Sequence, residues 1–92
     1  MEVRAGIHYG EIIEEEQDVF GYVVNIASRL ENLAKPGSVV ISREAIDKIE
    51  AGIELEFVPL GLQALKGVGR LIEVFALNDP GVYVPAIEEY ED

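Results

Sequence analysis

The residues that could do chemistry concentrate in two stretches. Within Phe20 to Ala34, Asn25 and Arg29 stand four positions apart. On a helix that spacing puts both side chains on one face, one turn apart, so both reach one ligand. Arginine is always charged and forks two oxygens of a phosphate. Asparagine adds a donor and an acceptor beside it. Gly21, Ser28 and Asn32 share that face, and an ordinary solvated helix face would look similar. The second stretch, Lys66-Gly67-Val68-Gly69-Arg70, holds two of only seven cations among glycines. Such a loop can bring backbone close to a phosphate, although it lacks the full phosphate-loop pattern.

Other candidates read as structural. Asp18 stands just ahead of the helix, where a carboxylate caps orphan N–H groups. His8 is the only histidine and there is no cysteine, so a zinc site has too few ligands. His8 falls on the strand face opposite Val3, Ala5 and Ile7 and reads as a hydrogen-bonded structural side chain. Glu14-Glu15-Glu16 reads as a solvated acidic loop. No Ser/His/Asp arrangement and no acid–base pairing of carboxylates is recognisable.

Those residues must be held by elements that the hydrophobic pattern predicts. Val3, Ala5, Ile7 and Tyr9 alternate with Arg4, Gly6 and His8, the period of a strand with one buried face. Phe20 to Ala34 reads as a helix whose core stripe is Val23, Ala27, Leu30 and Ala34. Lys35-Pro36-Gly37 stops it. Ser38 to Ile41 is a β-branched strand. Ser42 is an N-cap for a second helix, with Glu44 in its first turn, Ala45, Ile46 and Ile49 as its stripe and Gly52 at its end. Ile53, Leu55 and Phe57 alternate as a strand, Leu60 to Gly69 reads as loop, and Leu71 to Leu77 is a last strand. Asn78-Asp79-Pro80-Gly81 is turn chemistry. The order is strand, helix, strand, helix, strand, strand, which is α/β or α+β with helices packed on a small sheet. Residues 1–81 form the folded unit. The tail, Val82 to Asp92, has four acids in its last five positions and is expected to be mobile unless Tyr83, Val84 and Ile87 dock.

Composition narrows the function classes. The chain has 92 residues, 18 acidic against 7 basic, and a net charge of -11. One domain fits that length, with a core small enough to need a partner. The acidity argues against nucleic-acid polymers, which need clustered cations, and against an anionic membrane surface. No apolar run approaches the ~18 residues of a membrane span, and Met1-Glu2-Val3-Arg4 is no signal peptide. The absence of cysteine points to a reducing, cytoplasmic setting.

Three segments together resemble one family. Val3-Arg4-Ala5-Gly6-Ile7-His8-Tyr9-Gly10-Glu11 is the first. The second is Asp18-Val19-Phe20-Gly21-Tyr22-Val23-Val24-Asn25-Ile26-Ala27-Ser28-Arg29-Leu30-Glu31, continuing into Ala34-Lys35-Pro36-Gly37. The third is Leu65-Lys66-Gly67-Val68-Gly69. Their order and spacing, over residues 3 to 77, resemble the C-terminal half of the class III adenylate/guanylate cyclase catalytic domain. The resemblance implies a ferredoxin-like fold, formation of a cyclic nucleotide from a nucleoside triphosphate with release of pyrophosphate, and sites between two domains that dimerise head to tail. By position, Asn25 matches the asparagine that orients the ribose, and Arg29 the arginine that stabilises charge on the reacting phosphate. Lys66 matches the lysine that binds the triphosphate tail. Asp18 matches a base-selecting position, where Asp accepts from the adenine amino group and favours ATP over GTP.

The resemblance also sets limits. The family's two metal-binding aspartates and its base-selecting lysine belong to the N-terminal half, and Asp47 and Asp79 lie in the wrong context to replace them. Mg²⁺ or Mn²⁺ serves the complete enzyme, none is expected to bind this chain alone, and the chain alone is expected to be inactive. In the family sheet a strand of the N-terminal half separates the strands at 3–9 and 38–41. Without it, unpaired edges predict a homo-oligomer, a swapped arrangement or a rearranged sheet. Two main readings follow: a portion of an adenylate cyclase domain that acts when completed by the metal-binding half, or a catalytically inactive dimerisation or regulatory module. A small unrelated interaction domain is the third.

Overall fold

The computed structural model describes residues 3–10, 17–49 and 53–90, with residues 17–23 by backbone alone. The elements are β1 (Ala5–Ile7), α1 (Gln17–Leu33), β2 (Val39–Ser42), α2 (Arg43–Ile46), β3 (Glu56–Ala64), β4 (Leu71–Asn78) and a closing 3₁₀ turn (Ile87–Tyr90). The strands form one mixed sheet in the order β1-β2-β4-β3. The α+β class and the element order match the sequence expectation.

β1 and β2 pair directly and in parallel, Ala5 opposite Val39 and Ile7 opposite Ile41. The resemblance placed another strand between them. Backbone donors and acceptors must be paired when buried, and here each strand meets that demand with the other. Within the chain the sheet is therefore rearranged, with β1 beside β2.

α1 lies across the sheet on its buried face. Ile26, Leu30 and Ala34 are buried there against Val40, Leu60, Ile72, Val74 and Ala76, with Leu33 partly buried. Ile26 replaces the expected Val23 and Ala27 as the leading core contact, while the Val23 side chain lies outside the described residues. Ala27 is only half-buried, because it rides over β1 at Gly6. A Cβ placed on Gly6 would meet the backbone of α1, 2.7 Å from the Ala27 carbonyl oxygen and against the Glu31 nitrogen. The expected buried face of β1 is also corrected. Val3, Ile7 and Tyr9 are exposed, because β1 is an edge strand whose α1-facing residue is Gly6.

The Lys35-Pro36-Gly37 stop joins three parts of the chain. Gly37 has φ +83°, and its N–H donates to the Val3 carbonyl while its own carbonyl accepts from Tyr83 N–H, both at 2.9 Å. Lys35 does not sit in the last helical turn. Its ammonium stands 5.0 Å from the centre of the Tyr90 ring. The segment after Pro80 docks in consequence: Pro85 is buried, Tyr90 packs on the core, and the Tyr83 hydroxyl donates to Glu89 at 2.8 Å.

Ser42 caps α2 as expected, its Oγ accepting from Ala45 N–H at 3.2 Å. The helix is shorter than the apolar pattern suggested, and its expected end at Gly52 lies outside the described residues, as do Ile12, Ile13 and Glu14 to Glu16. The largest departure is β3. Residues 60–64 continue a strand that Pro59 and Gly61 made read as loop. β3 is an edge strand, where a proline's missing N–H can face outward. The register shifts between Pro59 and Gly61, and Gly61 has φ +80°, a bulge that keeps Leu60 in the core.

Candidate active site

α1 and the loop between β3 and β4 bring the chemistry-bearing residues together. The loop is anchored by Leu65 and Val68, both buried in the main core. Val68 N–H donates to the Leu65 carbonyl at 3.1 Å, closing a four-residue turn. Gly67, at its third position, has φ +80°, the conformation a type II turn requires there. Both apolar ends point inward, so Lys66 and Gly67 stand on the exposed crest.

That crest lies beside α1. A Cβ on Gly67 would stand 3.7 Å from Asn25 Nδ2. Arg29 and Lys66 line one open cleft of about 260 Å³, with Asn32, Leu33, Ala64 and Leu65 as its other walls. Its two charged side chains are both cations, on a molecule whose net charge is -11. Arg29 Nε is buried and has no hydrogen-bond partner among the described residues. Buried donors are nearly always satisfied, so this guanidinium is held beside the cleft with one donor already desolvated.

Three of the four residues singled out from sequence therefore converge: Asn25, Arg29 and Lys66. Asp18 stands apart. It is the second residue of α1, so it does not precede the helix as a cap would. Seven residues at 1.5 Å each set its backbone about 10 Å along the axis from Asn25. Its side chain lies outside the described residues. Among the described residues no three His, Asp or Glu side chains gather to hold a metal.

A second polar cluster, not foreseen from sequence, lies next to the loop. His8 Nδ1 is 2.8 Å from Ser42 Oγ, and Arg70 Nη2 donates to Glu44 Oε2 at 2.9 Å. Burial pushes the His8 ring below the usual imidazole range; Glu44 opposes that shift and Arg70 adds to it. Burial alone would raise the Glu44 carboxyl, but the Arg70 hydrogen bond, a backbone hydrogen bond and the charges of Arg70 and His8 together outweigh it and hold Glu44 below its ordinary value. These partners are 34 and 26 positions apart in the chain, so no local spacing could have announced them.

Comparison with known proteins turns this geometry into a family assignment. The profile of the adenylate and guanylate cyclase catalytic domain matches residues 1–79. The chain belongs to that family. A putative adenylate cyclase 3 of Rhizobium meliloti is 34% identical over 73 residues, covering 79% of this chain and 12% of that protein. A receptor-type adenylate cyclase of Trypanosoma brucei brucei, GRESAG 4.2, is 30% identical over 86 residues, covering 85% of this chain and 15% of that protein. A crystal structure of an adenylate/guanylate cyclase/hydrolase from Silicibacter pomeroyi superposes with a TM-score of 0.64 at 35% identity, covering 82% of this chain and 44% of that one. This cyclase-family chain thus spans less than half of the solved relative and a small part of the curated relatives. No helix among its described residues is long and apolar enough to cross a membrane.

Proposed function

We propose that this chain supplies the phosphate- and ribose-facing side of an adenylate cyclase site, forming cyclic AMP from ATP when completed by the metal-binding half. The observation that carries the reading is Arg29. The residue lines a cleft with Lys66 close to Asn25, and its Nε is buried without a hydrogen-bond partner among the described residues.

In the reaction the ribose 3′-oxygen attacks the α-phosphorus, a new O–P bond forms, and the bond to the departing pyrophosphate breaks. Arg29 stabilises the charge that builds on the α-phosphate oxygens, the type of preorganised electrostatic contribution that is usually largest. Asn25, one turn away, orients the ribose. Lys66, on a crest whose backbone is fixed by Leu65 and Val68, holds the triphosphate tail. Asp18 accepts from the adenine amino group. Mg²⁺ or Mn²⁺ neutralises the triphosphate in this chemistry. The described residues offer no ligand set for it, so none of these steps is assigned to a metal held here. The setting is the cytoplasm, where ATP is abundant.

The test is cyclic AMP formation from ATP with Mn²⁺ or Mg²⁺, with and without the metal-binding half of a cyclase domain. Product is expected only with that half. No product despite demonstrated association would reject the reading.

A second reading, an inactive dimerisation or regulatory module, draws on the other face of the sheet. There α2 places Ala45 with Ile41 and Phe75 in a small buried cluster, with Phe57 partly buried against it. An apolar cleft of about 210 Å³ stays open beside it, lined in part by Ile7, Val39, Ile49, Leu55 and Leu77. Exposed apolar surface of this kind favours association. Both readings predict a homo-oligomer or capture of the complementary half. Light scattering at high concentration is expected to give more than one chain's mass, and a monodisperse monomer would reject self-association.

A further inference from the structure

The His8 cluster ties a titratable ring to the loop that carries Lys66. Ser42 is fully buried and its hydroxyl has two neighbours, Ala45 N–H and His8 Nδ1. Ala45 N–H donates to it, and when the neutral ring carries its proton on Nε2 the serine donates its own proton to Nδ1. Once Nδ1 carries a proton, the serine can only accept from it. The serine proton must then turn away from the ring, and a positive charge appears where Glu44 and Arg70 bear on it. Glu44 is the anion that bears on His8, and it is already committed to Arg70. Arg70 directly follows the loop Lys66 to Gly69 and precedes β4.

The other described charged groups of α2 and the turn after it are engaged elsewhere. Arg43 pairs with Asp47 at 3.1 Å and lies over the Phe75 ring. Lys48 lies over Tyr9. The first turns of α1 fall outside the described side chains.

We propose that proton uptake by His8 draws Glu44 away from Arg70 and loosens the Lys66 loop, so that this domain's grip on a triphosphate weakens on acidification. The triphosphate clause rests on the function proposed above; the link from His8 to the loop does not. The sign follows from the ring's lowered affinity for protons. A group whose folded value lies below its unfolded one favours the fold above the ordinary value of 6.5. That contribution is lost as pH falls through the folded value.

His8 is the only histidine, so its ring signal in an NMR titration needs no assignment by mutation. Between pH 8 and 5, the amides of Lys66, Gly67 and Gly69 and the Arg70 side-chain N–H are expected to shift with the same midpoint as the His8 ring. In Glu44→Gln, where the ion pair is already lost, His8 still titrates but the loop no longer follows it. Loop amides that stay flat through the His8 midpoint, or that follow it equally in Glu44→Gln, would overturn the proposal. Inorganic tripolyphosphate serves as the binding probe, and its affinity should fall several-fold across the same midpoint. Binding that is flat across it would also overturn the proposal. Absence of tripolyphosphate binding at every pH, with the loop still following His8, would support the coupling and reject the phosphate reading.

Discussion

Replacing Arg29 with alanine is expected to lower cyclic AMP formation by the completed domain about 10²–10³-fold, the usual loss when one preorganised donor to a developing charge is removed. The loss should fall on kcat with KM for ATP little changed, because the interaction strengthens as charge builds in the transition state. Arg29→Lys should recover little. A lysine ammonium is a compact, strongly hydrated point charge and cannot present the planar fork that spans two phosphate oxygens. The fold should survive both changes, because Arg29 lies on the cleft side of α1 while the core contacts belong to Ile26, Leu30 and Ala34. Removing the guanidinium also removes a buried, unpartnered donor, so stability should hold or rise slightly. Steady-state kinetics and a urea midpoint on the same preparations check both halves. A rise in KM with kcat unchanged would show that Arg29 only binds substrate, and its role in stabilising the reacting phosphate would be rejected.

The largest effect on stability is expected at Gly6. Adding one methyl group there drives it into the backbone of α1, and backbone cannot swing aside as a flexible side chain can. The helix must lift from β1, which disturbs the packing of Ile26 and Leu30 and the parallel pairing of β1 with β2. Overpacking typically costs about 1–3 kcal/mol and sometimes more, and a contact this close belongs at the upper end. Gly69→Ala is the control. Gly69, unlike Gly6, has a positive φ, +80°, and nothing lies within 4 Å of a Cβ there. It should show only backbone strain, of order 1 kcal/mol. Urea unfolding is expected to show a much larger loss for Gly6→Ala than for Gly69→Ala. Equal losses would mean that α1 does not press on β1 as described.

How much of this was legible in sequence depended on distance along the chain. The long helix, the Ser42 cap, the stop at 35–37 and the strand at 71–77 each arise from neighbours within a few residues, and each was read. The cap is a local hydrogen bond, Ser42 Oγ to Ala45 N–H, and depends on little else. The misreadings share the opposite cause. Pro59 and Gly61 break a strand by local preference, but an edge position and a bulge against β4 absorb them. Val3, Ala5 and Ile7 alternate as a half-buried strand should, yet the buried side of β1 is the one where a glycine admits the helix backbone. Ile26 was overlooked because a helical stripe has a width, and the exact facing of α1 is set by the sheet beneath it.

The same division holds for the site and for the molecule as a whole. By itself the sequence determined residue types suited to a phosphate. Asn25 and Arg29 lie one turn apart, and Lys66 stands between two residues apolar enough to be pulled inward. The family follows from those segments in that order. What only the tertiary structure decided was that the loop crest lies against α1, that Arg29 Nε is buried without a partner among the described residues, and that β1 pairs with β2. It also decided that His8, Ser42, Glu44 and Arg70 meet. Helical spacing and turn chemistry act over a few residues, so composition and order encode them directly. Bringing a loop at 65–70 against a helix at 17–33 and a histidine at 8 depends on which faces are buried together, and the packed core sets that.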